Sequence, residues 1–234
     1  MRVWHADTAD MHARDSDTVR RALEHLQPAE RARYERFRQD ADRDMFLVGR
    51  VMARAIVADA LRTRPADWPW REGLRGRPEI DIDGCPVSFN LAHSGGKVVC
   101  ALSWLGAVGI DVEDRERASL DRALVARCCD DSEAADVDAH GDRWRDRFLQ
   151  YWTLKESYLK AVGLGISVHL PDVRFRLTDD VRPAFQGDLE GADAGWTFDL
   201  TSLGRRYFVA VAASATALPA PSFIHAPFPA SWWP

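Results

Sequence analysis

The sequence predicts an α+β fold made of two α/β halves of similar element order. Three observations predict it. The chain of 234 residues, 46% hydrophobic and 29% charged, can bury one sizeable core or two small ones of roughly 100 residues each. Its apolar spacing alternates between the three-to-four period of helices and the two-residue or continuous period of strands. The order strand, helices, long helix, strands then occurs twice.

The elements follow in order. "RVWHA" reads as a short strand, and "SDTVRRALEHL" and "PAERARYERFR" as helices opened by a cap residue and by a first-turn proline. From Ala41 to about Arg62, Phe46, Val48, Val51, Met52, Ala55, Ile56 and Leu61 mark a longer helix with a broad buried face. "RPADWPWREGLRGRP" is a loop rich in Pro and Gly. "PVSFNLAHS", "KVVCALSW" and the end of "LGAVGIDVED" read as strands. Helices follow at "SLDRALVARCC" and "RFLQYWTLKESYLKAV", then strands at "VRFRL", "WTFDL" and "RYFVAVAA". The tail "LPAPSFIHAPFPASWWP" carries too many prolines for regular structure, although its apolar residues can pack on the body. The expected division is an N-terminal half over 1–106, a C-terminal half over 107–217 and a Pro-rich tail over 218–234.

Composition narrows the function. The formal charge of −5 argues against general nucleic-acid binding. No run approaches the ~18 consecutive apolar residues of a membrane span, and the first residues lack the apolar stretch of a secretory signal. A cytoplasmic monomer without membrane contact is expected. Cys85, Cys100, Cys128 and Cys129 form no CxxC pair, so buried free thiols are expected rather than a disulfide framework or a thiolate zinc site.

Three constellations carry chemistry. In "GIDVED", strand alternation puts Asp111 and Glu113 on one face, and the repulsion of two recessed carboxylates would be relieved by a divalent cation, magnesium or manganese by ligand hardness. The same spacing also suits the wet face of a half-exposed strand. In "YWTLKESYLKAVGLG", Tyr151, Leu154, Tyr158 and Val162 form one helical stripe, while Glu156 and Lys160 lie one turn apart on nearly the opposite face. A plain surface ion pair would look alike, but Trp152 sets a large aromatic ring one turn before Glu156. In "SFNLAHSGGKV", His93 precedes Ser94, Gly95 and Gly96, whose flexible backbone can approach an anion. A histidine in a turn can equally be structural.

Taken in order, "FNLAHS", "GIDVE" and "WTLKESYLKAVGLG" resemble the three signature motifs of the Sfp-type 4′-phosphopantetheinyl transferases, and "ERARYERFRQDADRDMFLVGR" resembles the family's N-terminal basic region. The likeness covers roughly residues 28 to 215. It implies a pseudo-dimer of two similar α/β subdomains with the active site in the cleft between them, in agreement with the repeat of elements. It also implies transfer of the phosphopantetheine arm of coenzyme A, the co-substrate, to a serine of an apo acyl or peptidyl carrier protein, with Mg2+ (Mn2+ as the alternative) and release of adenosine 3′,5′-bisphosphate. Carried over by position, the resemblance makes Asp111, Glu113 and Glu156 the metal ligands and Glu156 the base. Lys160 would stabilise or protonate the departing phosphate, with Lys155 and His93 as further phosphate contacts. Glu133 resembles a family glutamate near the metal.

Two departures from the pattern stand out. The usual "NxSH" is "NLAH", so Ala92 replaces a hydroxyl whose contact must be absent or supplied by Ser94. Met45 occupies a place often held by arginine, which leaves Arg43, Arg50 and Arg77 as candidates for the coenzyme A 3′-phosphate. For the carrier, Arg117 and Arg122 are expected to steer an acidic helix and Leu120 to dock against it. The alternative is a catalytically degenerate module that binds coenzyme A or the carrier, against which the four retained residues Asp111, Glu113, Glu156 and Lys160 argue. A glycosidase built on paired carboxylates would explain neither the histidine loop nor the lysines.

Overall fold

The computed structural model describes residues 1–13, 17–64, 70–73, 78–80, 84–85, 87–104, 106–116, 120–165, 168–178, 183–186, 195–214 and 222–234. The chain divides into two units, Met1–Trp104 with Phe223–Pro234, and Leu105–Ser222.

Unit 1 begins with β1 (Arg2–Asp7), α1 (Thr8–His12), α2 (Asp17–Glu24), α3 (Pro28–Arg36) and α4 (Asp40–Leu61). It continues through a short antiparallel pair, β2 (Trp70–Glu72) and β3 (Pro78–Ile80), to the hairpin of β4 (Ser88–Ser94) and β5 (Lys97–Ser103). Strand β5 lies between β1 and β4, antiparallel to both. Alternation sends Trp4, Ala6, Phe89, Val98, Cys100 and Leu102 to one face, where they share a core with Leu47, Met52 and Ile56 of α4. Every residue of α4 from Met45 to Ala58 is buried, so the helix is apolar nearly all round. Its two buried arginines, Arg50 and Arg54, are accommodated because both pair with the buried Glu30 of α3.

Unit 2 repeats the plan with β6 (Val108–Asp114), α5 (Arg122–Cys128), α6 (Asp131–Ala139) and α7 (Trp144–Val162). A short pair, β7 (Phe175–Leu177) and β8 (Pro183–Phe185), precedes β9 (Trp196–Leu203) and β10 (Tyr207–Ser214). Strand β10 lies between β6 and β9, antiparallel to both, the arrangement of β5 between β1 and β4. The element order that suggested two similar halves therefore extends to the sheet connections. Tyr158 anchors the core of this unit, with the rings of Phe185 and Trp196 at 4.7 and 5.2 Å.

The tail corrects the sequence reading. Ile224–Pro227 forms β11, which pairs parallel with β1 from Arg2 opposite Ile224 to His5 opposite Pro227. An edge strand needs only one row of ladder bonds, so proline is tolerated there. Phe228, Trp232 and Trp233 then pack together, with Trp232 6.2 Å from Trp4. All four cysteines are free thiols; Cys100, Cys128 and Cys129 are buried and Cys85 is half-buried. Among the described residues no helix is long and apolar enough to cross a membrane.

Candidate active site

The three carboxylates of the second and third motifs meet within unit 2, and a glycine brings them together. On β6, Gly109, Asp111 and Glu113 pair with Ala212, Ala210 and Phe208 of β10, the residues that share a core with Leu154 and Tyr158 of α7. This face is therefore the α7 side. A Cβ built on Gly109 would lie 2.0 Å from the Ser157 carbonyl oxygen and 2.4 Å from the Ala161 amide nitrogen. Only glycine lets the helix backbone settle this closely on the strand. The consequence is local: Trp152, Glu156 and Lys160, successive turns of α7, come to lie along Asp111 and Glu113. Gly163, in the left-handed conformation at φ 75°, ends the helix directly after this stripe.

The contacts distinguish the three acids. Lys160 Nζ donates to Asp111 Oδ1 at 2.6 Å, and Trp152 Nε1 donates to Glu113 Oε1 at 2.7 Å. Glu156 Oε1 is buried without a hydrogen-bond partner. The Glu156 pKa is raised by burial first and by the Asp111 charge next, with Lys160 opposing and Glu113 adding to the rise. The alternative of a plain surface pair between Glu156 and Lys160 is not what forms, since the lysine reaches across to the strand. Among the described residues no three His, Cys, Asp or Glu side chains are gathered into a ready metal cage. Asp111, Glu113 and Glu156 nonetheless supply a hard-oxygen donor set with an unsatisfied buried oxygen, and magnesium commonly takes only one or two carboxylates beside waters and phosphate oxygens. The residues fit such an ion.

Lys155 corrects the expectation of a phosphate contact. Its side chain is 1% exposed, and Nζ donates to Glu133 Oε2 at 2.5 Å, to the Cys128 carbonyl at 2.8 Å and to the Leu170 carbonyl at 3.1 Å. An ammonium has three donors, and all three are used inside the unit. Glu133 is corrected with it. Besides Lys155 it accepts from the backbone amides of Phe175 and Asp130, the latter completing the capping box of α6. Both oxygens of this glutamate are engaged by structural partners inside unit 2.

The remaining candidates lie in unit 1. His93 is exposed near the end of β4, and Gly95 and Gly96 take the positive φ of the turn into β5. Ala92 is buried and, by alternation, on the opposite face of the strand from His93, a face that Ser94 shares. A hydroxyl at position 92 would thus not extend the His93 surface. Arg43 donates to the Phe37 carbonyl at 2.9 Å and to Asp40 at 3.0 Å. Arg50 is corrected: it is buried, 3.0 Å from Glu30 and 4.7 Å over the Phe46 ring, an internal cation rather than an offered one. Met45 packs into the core of unit 1. Arg77 lies outside the described residues.

Of the carrier-facing residues, Arg117 lies outside the described residues, and Leu120 is corrected: it is 5% exposed and packs in the core of unit 2. Arg122 is exposed, stacked 4.4 Å over Trp144 and paired with Asp138. Sequence reasoning missed Gly109, whose signal was its position two residues before Asp111 on the same strand face. It also missed the pairing of Asp114 with Arg206, at 2.7 Å, which ties the end of β6 to the turn before β10.

Comparison with known proteins identifies the family. A model of the 4′-phosphopantetheinyl transferase superfamily matches residues 107–212, and one of the 4′-phosphopantetheinyl transferase N-terminal region matches residues 13–104. A phosphopantetheinyl transferase of Thraustochytrium sp. is 36% identical over 211 residues, 84% of this chain and 73% of that protein. A 4′-phosphopantetheinyl transferase of Bacillus subtilis is 32% identical over 152 residues, 64% of this chain and 66% of its own length. The 4′-phosphopantetheinyl transferase Sfp of Bacillus subtilis strain 168 is 30% identical over 161 residues, 68% of this chain and 70% of its own length. With one family model on each side of residue 105 and such identity over most of these relatives, the chain belongs to the 4′-phosphopantetheinyl transferase superfamily and is a transferase of the Sfp type.

Proposed function

We propose that this transferase moves the phosphopantetheine arm of coenzyme A to a serine hydroxyl of an apo acyl or peptidyl carrier protein, with magnesium held by Asp111, Glu113 and Glu156. The observation that carries the reading is the convergence of these three buried carboxylates with Lys160 along one strand and helix. In the reaction the serine oxygen forms a bond to the β-phosphorus of coenzyme A, the bond from that phosphorus to the bridging oxygen breaks, and adenosine 3′,5′-bisphosphate leaves with the electron pair. When bound, the metal supplies electrostatic stabilisation of the pyrophosphate charge that grows in this step.

The chain's own residues do the rest. Glu156 accepts the serine proton, a role suited to a carboxylate whose buried site raises its proton affinity toward the working pH. Lys160, with its side chain 30% exposed, presents an ammonium to the leaving phosphate. Trp152 fixes Glu113 through its indole N–H. Arg122 attracts the acidic carrier surface. The test is the intact mass of an apo carrier protein incubated with this protein, coenzyme A and magnesium. A phosphopantetheine adduct that forms with wild type and not with Glu156→Gln is expected. Absence of the adduct over a panel of acyl and peptidyl carriers would overturn the reading.

A further inference from the structure

The chain holds 31 Lys and Arg residues, of which only Lys97, Lys155 and Lys160 are lysines. Each is paired with a carboxylate: Lys97 with Asp7 at 2.6 Å, Lys155 with Glu133 at 2.5 Å and Lys160 with Asp111 at 2.6 Å. The first two ammonium groups end long, nearly buried side chains, at 9% and 1% exposure. Lys160 differs. Its side chain is 30% exposed, while its partner Asp111 is 8% exposed. The pair thus joins a partly exposed lysine to a buried carboxylate.

We propose that Lys160 is a resident cation at the magnesium site, which the metal must displace from Asp111, so that metal entry releases the ammonium for the substrate phosphate. The inference rests on the proposed metal role of Asp111. Three observations support it. Asp111, Glu113 and Glu156 burden one another with like charge, and the Glu156 pKa is raised in part by the Asp111 charge and held down by Lys160. An ammonium bonded to Asp111 is the cheapest relief of that repulsion when no metal is there. The lysine also already occupies an oxygen of Asp111, with Nζ 2.6 Å from Oδ1. Finally, Lys160 stands in the last turn of α7 on a long side chain that can redirect its ammonium while its backbone stays held by the packing of Ala161 against Gly109. One group therefore has two stations, the aspartate before metal entry and the phosphate after it.

The arrangement predicts ordered loading. Metal binding carries the cost of breaking the ion pair, and phosphate binding regains it through the released ammonium, so each favours the other. The low lysine count makes the test direct. Lysine labelled with carbon-13 at the ε position gives three signals, and the one missing from Lys160→Met is that of Lys160. Magnesium titrated into the wild-type protein without coenzyme A should move the Lys160 signal and leave those of Lys97 and Lys155 in place. By calorimetry, Lys160→Met should bind magnesium on the order of tenfold more tightly than wild type, having no pair to break. An unchanged affinity, a Lys160 signal that stays still while magnesium binds, or no magnesium binding to either protein would overturn the proposal. If transfer by wild type still requires magnesium in those cases, the proposed function stands. Transfer without any divalent cation would instead sink the metal assignment itself.

Discussion

Replacing Gly109 with alanine tests whether the close seat of α7 on β6 builds the site. The added Cβ would meet the Ser157 carbonyl oxygen at 2.0 Å, the Ala161 amide nitrogen at 2.4 Å and the Ala161 Cα at 3.0 Å. All three are helix backbone, so no side-chain rotation relieves them. To bring the first contact to an ordinary 3.4 Å, α7 must move by about 1.4 Å. Overpacking of this kind costs about 3 kcal/mol, which for a chain of this length lowers Tm by about 6–12 °C. The kinetic effect should exceed the thermal one in importance. Glu156 and Lys160 flank Ser157 and Ala161, and a displacement of about 1 Å from the productive geometry costs on the order of 100-fold in rate. Gly49→Ala is the matched control, since its Cβ would lie 3.8 Å from Val98 Cγ1, in ordinary contact within α4. It should gain about 0.5–1 kcal/mol without loss of turnover. Thermal denaturation and kcat for both variants, at temperatures where each is folded, decide the matter. A Gly109→Ala protein with wild-type Tm and turnover would refute the reasoning.

Glu156→Gln should lose transfer yet raise Tm at neutral pH. Its folded-state pKa is raised above 4.5, so between the two values the folded protein binds more protons and stability falls as pH rises; the amide removes that penalty. For the same reason the metal-free wild type should lose stability as pH rises through the Glu156 titration, as thermal denaturation in the presence of a chelator would show, and a Glu156→Gln protein with an unchanged pH dependence would remove Glu156 as the group responsible. Lys155→Met should cost about 3–5 kcal/mol in denaturant unfolding, because Glu133 is left buried without its cation, and adding Glu133→Gln should recover much of it. A Lys155→Met protein of wild-type stability with a raised KM for coenzyme A would restore the phosphate contact that the resemblance implied. Deletion of residues 223–234 should raise hydrogen exchange in β1 and α4 while α7 stays protected, and uniform protection throughout would mean that the tail contributes nothing to unit 1.

The candidate site was legible where backbone periodicity governs direction. Asp111 and Glu113 share a face because a strand alternates, and Glu156 with Lys160 forms a stripe because a helix turns every 3.6 residues. What periodicity leaves open is the partner. Lys155 and Lys160 sit five positions apart on one helix, yet the first points into the core to Glu133 and the second to Asp111, and only the packing of α6 and β6 around α7 decides which. Leu120 and Arg50 show the same limit. A leucine beside arginines suits a docking surface as well as a core, and an arginine on a basic stretch suits a phosphate as well as a buried glutamate 20 residues earlier. The tail was misread because proline content reports on strand interiors, whereas β11 is an edge.

Unit 1 is assembled from two stretches that translation produces far apart in time. Arg2 finds its ladder partner at Ile224, and Trp4 its aromatic neighbour at Trp232, only after the whole of Leu105–Ser222 has been made. Unit 2 is contiguous and can fold as soon as it clears the ribosome, whereas β1, made before it, waits with one edge uncovered. Closing so long a loop adds little to the equilibrium cost, since that cost grows only with the logarithm of length, but it slows the search. Misassembly during expression should therefore begin at β1, and any delay in delivering residues 223–234 should aggravate it.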